Sequence, residues 1–156
     1  MTTKAMVDIL AENPFFTTMP RAQMELVAGC AVNAVYHEGD YLFREGEAAD
    51  YFFLIRHGSV ALELAHPSRG AVVVETLGEG DVIGWSWLVE PYRWMFDARA
   101  RETLRVVKID GACLRGKCVA DHALGYELYR RVATLMADAI TAAKLQLMDV
   151  YGGGRS

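Results

Sequence analysis

The chain has 156 residues, 53% of them apolar, and a formal charge of −4; this suits one folded domain with a real core and excludes a disordered chain. The acidic balance argues against a dedicated nucleic-acid binder, in which a basic face dominates affinity. The charge is uneven, however: residues 1–90 hold 13 Asp/Glu against 5 Lys/Arg, and residues 91–131 hold 9 Lys/Arg against 5 Asp/Glu. The second stretch favours an anionic ligand or partner as readily as it makes solvated faces.

Residues 4–13 read as a helix that stops at Asn13-Pro14, because the residue before proline is pushed out of the α region. A second helix starts at Pro20, with Met24, Leu26 and Val27 facing inward. From Ala34 to Asp110 short β-runs alternate with glycine turns. Tyr51–Ile55 and Val60–Leu64 flank His57-Gly58-Ser59, a hairpin signal. Ala71–Leu77 is a further strand, and its Val72-Val73-Val74 run predicts burial on both faces. Residues 98–101 and 104–109 read as another hairpin. Many short antiparallel strands of this kind predict a jelly-roll-like double sheet, mainly β with flanking helices. Residues 113–121 predict a short helix or turn. A single helix then runs from Ala123 to Val150, with Val132, Met136, Ala139, Ala143, Leu147 and Val150 on one apolar stripe. Leu128, Leu135 and Ala142 add a neighbouring stripe, so this helix can cover the roll and also face a second copy of itself, which predicts a homodimer. Residues 152–156 read as a flexible tail, and no helix-turn-helix-like segment is expected after it.

Met1–Leu10 contains Lys4 and Asp8 and no leader-like apolar run, and nowhere do about 18 uninterrupted apolar residues make a membrane span. Three cysteines, an odd number, do not suggest a disulfide framework and are read as reduced thiols. The expected compartment is the cytoplasm. Cys113 and Cys118 with His122 lack the second ligand pair that structural zinc requires, so no metal site is expected. His37, His57 and His66 show no haem-attachment spacing. Nucleophile-elbow, Walker, dinucleotide and zincin patterns are absent, so no enzyme is expected.

The functional stretch is Gly78–Arg99. It opens on Gly78, Gly80 and Gly84, which permit positive φ or close backbone approach, and it holds all three tryptophans, Trp85, Trp87 and Trp94. Arg93 and Arg99 lie among these rings, suited to stacking or to an anion. By themselves the tryptophans read equally well as core. Asp97, in an apolar run, reads as a structural partner of Arg93 or Arg99 before it reads as a ligand contact.

Glu79-Gly-Asp-Val-Ile-Gly84, followed fifteen positions later by the Arg99 of Ala-Arg-Ala, resembles the phosphate-binding cassette of cyclic-nucleotide-binding domains. Tyr36–Gly46 and Asp50–Leu62 resemble the β-roll of the same family. The likeness spans residues 8–150, and the glycines at 39, 46, 58, 78, 80 and 84 fall where the family has them. It implies an antiparallel β-roll over 34–110 between N-terminal helices (1–33) and C-terminal helices (111–151). It also implies a helical layer that moves when ligand binds. The family follows its last cassette glycine with a Glu that holds the ribose; this chain has Trp85 there. The family's phosphate-gripping Arg aligns with Trp94, and the small residues after it with Met95 and Phe96; a one-residue shift would let Arg93 serve instead.

The resulting expectation is a regulatory module that binds a small anionic or nucleotide-like ligand through Gly84, Trp85, Ser86, Trp87, Arg93, Trp94, Asp97 and Arg99. Its long helix would signal to a protein partner in trans, with weak or absent cyclic AMP and cyclic GMP binding. The alternative expectation is an interaction module whose own tryptophans fill the pocket.

Overall fold

The computed structural model describes residues 5–153. Two short helices, α1 (Met6–Ala11) and α2 (Arg21–Ala28), lead into eight strands: β1 (Ala31–Tyr36), β2 (Tyr41–Phe43), β3 (Tyr51–His57), β4 (Val60–His66), β5 (Gly70–Leu77), β6 (Val82–Ile83), β7 (Asp97–Ala100) and β8 (Leu104–Asp110). Helices α3 (Gly111–Ala120) and α4 (His122–Gly153) follow. The strands form two four-stranded antiparallel sheets, ordered β1-β8-β3-β6 and β2-β7-β4-β5. This is the β-roll with terminal helices that the glycine-punctuated pattern predicts.

Two turns differ from their reading as hairpins. β3 and β4 lie in opposite sheets, and so do β7 and β8; of these neighbours in sequence, only β4 and β5 pair directly. Residues 57–59 and 101–103 are therefore crossings between sheets. They pack on one another: at Gly58, with φ +97°, an added Cβ would lie 2.6 Å from the Thr103 carbonyl oxygen. A glycine is required there by conformation and by space alike. The roll also begins three residues early, since β1 starts at Ala31 and pairs with β8 from Ala31↔Ile109 to Tyr36↔Leu104.

β3 and β8 are buried on both faces, one toward the roll interior and the other beneath the helices. β5 was expected to be like them, but it is an edge strand and Val73 is 55% exposed. Only its inner face meets the core. Opposite Leu62/Glu63 its register slips, pairing Leu62 with Glu75 and Glu63 with Val73, so Val74 is bulged out of the ladder. The freed Val74 carbonyl accepts a 3.1 Å hydrogen bond from Gln146 of α4.

The helical layer is fastened at both ends of its connecting loop. α1 stops before Pro14, and the Asn13 side chain accepts from the Phe15 amide at 2.9 Å while donating to the Gly80 carbonyl at 3.2 Å. Arg131 of α4 reaches back with Nη1 to the Phe15 carbonyl at 2.7 Å and with Nη2 to Thr18 Oγ1 at 3.0 Å. Asp110 caps α3 by accepting from the Cys113 amide, and Asp121 caps α4 by accepting from the Leu124 amide. α4 continues through Gly153, past the expected boundary of its tail; residues 154–156 lie outside the described residues.

The cysteines correct the reduced-thiol reading. Cys30 and Cys113 form a disulfide, with Cα atoms 5.9 Å apart across 83 positions of chain, and only Cys118 is free. An odd count hid this pair, because one buried thiol is left over. Bonded to Cys30, Cys113 is not available as a metal ligand.

Candidate functional site

Between the inner faces of β4, β5 and β6, the cassette loop and α4 lies a cavity of about 200 Å³. β4 and β5 bring Leu62 and its cross-strand partner Glu75 to one face, with Leu77 two residues on. The cassette adds Asp81, Val82, Gly84, Trp85 and Phe96, and α4 closes the cavity with Leu135, Asp138 and Ala139. No lysine or arginine is in the lining, whereas three carboxylates are. Burial, and then the neighbouring charge of Asp81, push the Glu75 carboxyl above its ordinary range. The Asp81 carboxylate accepts from the Gly78 amide at 2.8 Å, which fixes the turn that opens the cassette.

The residues expected to bind ligand separate into three places. Gly84 and half-buried Trp85 line the cavity. Trp87, Trp94 and Ser86 are core. Trp87 is fully buried and stacks on Phe52 at 4.4 Å between centroids, under the start of α3. The Trp94 ring lies 3.6 Å from Phe43, nearly parallel, and also covers Gly84 so closely that a Cβ there would collide with the Cζ3–Cη2 edge of the indole. The room that Gly84, at φ +92°, leaves beside the backbone is thus filled by the chain's own ring.

Arg93, Asp97 and Arg99 face elsewhere. Arg93 is exposed and donates to the Gly46 carbonyl at 3.1 Å. On β7, Ala98 and Ala100 point inward, so the two-residue period sends Arg99 out, where it donates to the Gly39 carbonyl and lies 5.3 Å over the Tyr41 ring. Asp97 accepts from the Glu45 amide at 2.7 Å and pairs with Arg44 at 3.4 Å. Its structural role was expected with Arg93 or Arg99, and Arg44 takes that place because β2 and β7 are neighbours.

Sequence reasoning missed Glu75 and Asp138. Asp138 had a signal, standing between the stripe residues Leu135 and Ala139. Glu75 had little, because its inward direction depends on the Val74 bulge.

The model of the cyclic nucleotide-binding domain matches residues 34–121, from β1 through α3. The chain belongs to the cyclic nucleotide-binding domain family. A curated relative, the cAMP-dependent protein kinase regulatory subunit of Schizosaccharomyces pombe, is 26% identical over 102 residues. That alignment covers 65% of this chain but only 24% of the relative, so the chain spans about a quarter of it. Among solved structures, a protein of Geobacter metallireducens GS-15 named for cyclic-nucleotide binding is 29% identical, with TM-score 0.77 over 88% of this chain and 98% of that one. The N-terminal domain of a transcriptional regulator from Streptomyces coelicolor A3(2) has TM-score 0.68 at 21% identity, covering 85% and 94%, and shares the fold. Of these, the Schizosaccharomyces pombe relative is named as a regulatory subunit. Trp94, which the resemblance aligns with the family's phosphate-gripping arginine, is packed as core.

Proposed function

We propose that this chain is a non-enzymatic regulatory module that binds a small organic cation beneath α4 and reports it through that helix to a partner in trans. The observation that carries this reading is the lining of the cavity, two aromatic rings and three carboxylates with no cation among them. Rings and carboxylates together attract an ammonium group and repel a cyclic phosphate. The volume of about 200 Å³ suits a small amine better than a nucleotide. The anionic ligand expected from Arg93 and Arg99 does not fit, because neither guanidinium lines this space.

The test is a titration read by tryptophan emission, since Trp85 lines the cavity while Trp87 and Trp94 are buried. Putrescine, choline and an alkylammonium ion are the probes, with cyclic AMP and cyclic GMP beside them. At least one amine is expected to shift the emission, and Glu75→Gln to weaken it roughly tenfold, about 1.4 kcal/mol. Neither cyclic nucleotide is expected to bind below about 1 μM. Because the fold raises the Glu75 pKa, the domain without ligand loses this contribution to stability as pH climbs from the ordinary carboxylate range through the raised value. A cation favours the ionised carboxylate, so its affinity should rise across that same window and then level off. Sub-micromolar binding of either nucleotide overturns the reading. An unchanged emission with every amine supports instead an interaction module without ligand, which the Trp94 ring over Gly84 favours.

A homodimer along α4 is part of the proposal. The proximal half of the helix buries Leu124, Leu128 and Val132 against the rest of the domain. Its distal half leaves Ile140, Leu145, Leu147, Met148 and Val150 more than half exposed. Each large side chain buried there contributes ~1.5–3 kcal/mol against the association penalty. Light scattering is expected to give twice the chain mass at tens of micromolar (a dissociation constant of about 10 μM corresponds to about 7 kcal/mol of association). Leu147→Glu is expected to return one chain mass with the fold intact, whereas Leu135 lines the cavity and is unsuited to that test. A single-chain mass for the unmodified protein rejects the dimer. Residence in the cytoplasm belongs to the same reading; among the described residues no helix is long and apolar enough to cross a membrane.

A further inference from the structure

We propose that Cys30 and Cys113 are a thiol–disulfide modification site that sets how firmly α3, and through it α4, is seated on the roll. The bond joins the residue just before β1 to the first turn of α3 and closes a loop 83 positions long, which contains the whole roll. The roll does not depend on it. β1 and β8 remain paired along six positions, and the Asp110 amide donates to the Cys30 carbonyl at 2.9 Å. α3 depends on it more. Besides the bond, the Lys117 ammonium donates to the Leu26 carbonyl at the end of α2, and toward the roll Arg115 donates to the Trp87 carbonyl and the Gly111 amide to the Asp50 carbonyl; among these the disulfide is the one covalent tie. Opening the bond therefore loosens a helix and leaves the sheets closed.

Access favours the exchange. Cys30 is buried and Cys113 is half-buried, so an incoming thiolate meets Cys113 Sγ first. A reductant thiolate, from a small thiol such as glutathione or from a dithiol protein, attacks that sulfur. A mixed disulfide forms and Cys30 leaves as a thiolate, which takes up a proton. A second reductant thiol displaces Cys113, which is protonated in turn, and the reductant departs as its own disulfide. Two electrons and two protons enter the protein. Cys118, on the same helix, is a poor competitor: it is buried, and burial raises its thiol pKa. In a compartment held reducing by thiols, such a pair is transient and responsive instead of permanent.

The effect reaches α4 because α3 packs on it directly; at Gly125 of α4 an added Cβ would lie 3.4 Å from Cys118. The inference is independent of what fills the cavity.

The experiment uses the full chain carrying Cys118→Ser, equilibrated in glutathione buffers from fully oxidised to fully reduced, with thiols trapped and counted by mass. The trapped fraction is expected to pass from near zero to two thiols per chain within that range. Hydrogen exchange on the reduced form should accelerate roughly tenfold or more in α3 and the first turns of α4, with β3, β4 and β8 unchanged. A Cys30→Ser/Cys113→Ser variant should show the same accelerated pattern in every buffer. A bond that persists at every ratio, a bond that never forms, or identical exchange in the two forms overturns the proposal.

Discussion

Trp94→Ala should lower the unfolding free energy by about 3–5 kcal/mol, the range for removing a buried aromatic side chain from a core. The ring is 4% exposed, stacks on Phe43 and covers Gly84, so its loss empties space on two sides at once. Stacking adds about 0.5–1.5 kcal/mol beyond the area buried. The measurement is urea unfolding of the variant beside the unmodified chain. A loss under about 1 kcal/mol would mean that the ring is not core. The substitution also clears the room beside Gly84, where resemblance places the phosphate-gripping arginine. Cyclic nucleotide should still fail to bind, because the cleared space supplies no guanidinium and the three carboxylates remain. Gain of nucleotide affinity on emptying the site would count against the charge argument.

The second large effect is expected at Arg131. Its side chain is 8% exposed and donates to the Phe15 carbonyl and Thr18 Oγ1 while pairing with Glu127 at 3.2 Å. Arg131→Ala should cost about 2–4 kcal/mol, since hydrogen bonds from a charged group contribute about 1.5–3 kcal/mol each and do not add fully. It should also free the loop between α1 and α2 from α4, and limited proteolysis would show earlier cleavage in residues 14–20. Resistance equal to that of the unmodified chain would show that Asn13 and Gly80 hold the loop alone. Lowering the pH weakens the same region by another route. Arg130, through its hydrogen bond, and then Arg131 hold the Glu127 carboxyl below its ordinary pKa, so that contribution is present above the unfolded value and is lost as pH falls through the folded one.

The strands were legible because glycine turns and apolar alternation mark their ends, and the long helix because its stripe runs without a break. The sheet to which each strand belongs was not legible. His57-Gly58-Ser59 reads the same whether the chain turns back on itself or crosses to the opposite sheet, and the choice is made by Thr103, 45 positions away from Gly58. The site was half legible for a similar reason. Ala98-Arg99-Ala100 already carries the signal that Arg99 points outward, since two small inward residues flank it. Glu75 carries no such signal, because the one-residue slip at Val74 reverses the parity of the strand. Trp85 and Trp94 look alike in sequence, yet Trp85 is half-buried against the cavity beneath α4 while Trp94 is buried in a stack on Phe43; the difference lies in what stands opposite each ring. The Cys30–Cys113 bond, spanning 83 positions, follows from closure of the roll and from no local pattern.

The strand order has a consequence for how the chain reaches this fold during synthesis. β1 sits at the edge of its sheet, and its sheet partner is β8, with Ala31 opposite Ile109. A nascent chain that has emerged as far as β7 can pair β4 with both β5 and β7, and β2 with β7, which completes one sheet. The other has only the short β3–β6 ladder, and β1 must wait with its backbone donors facing water. Contacts so distant along the chain close late and slowly, and exposed strand edges are what chaperones and aggregation act upon. A ribosome stalled so that Ala100 has just left its exit tunnel should therefore display a half-built particle, one sheet protected from protease and the other open. Release of the next ten residues should close it in a single cooperative step.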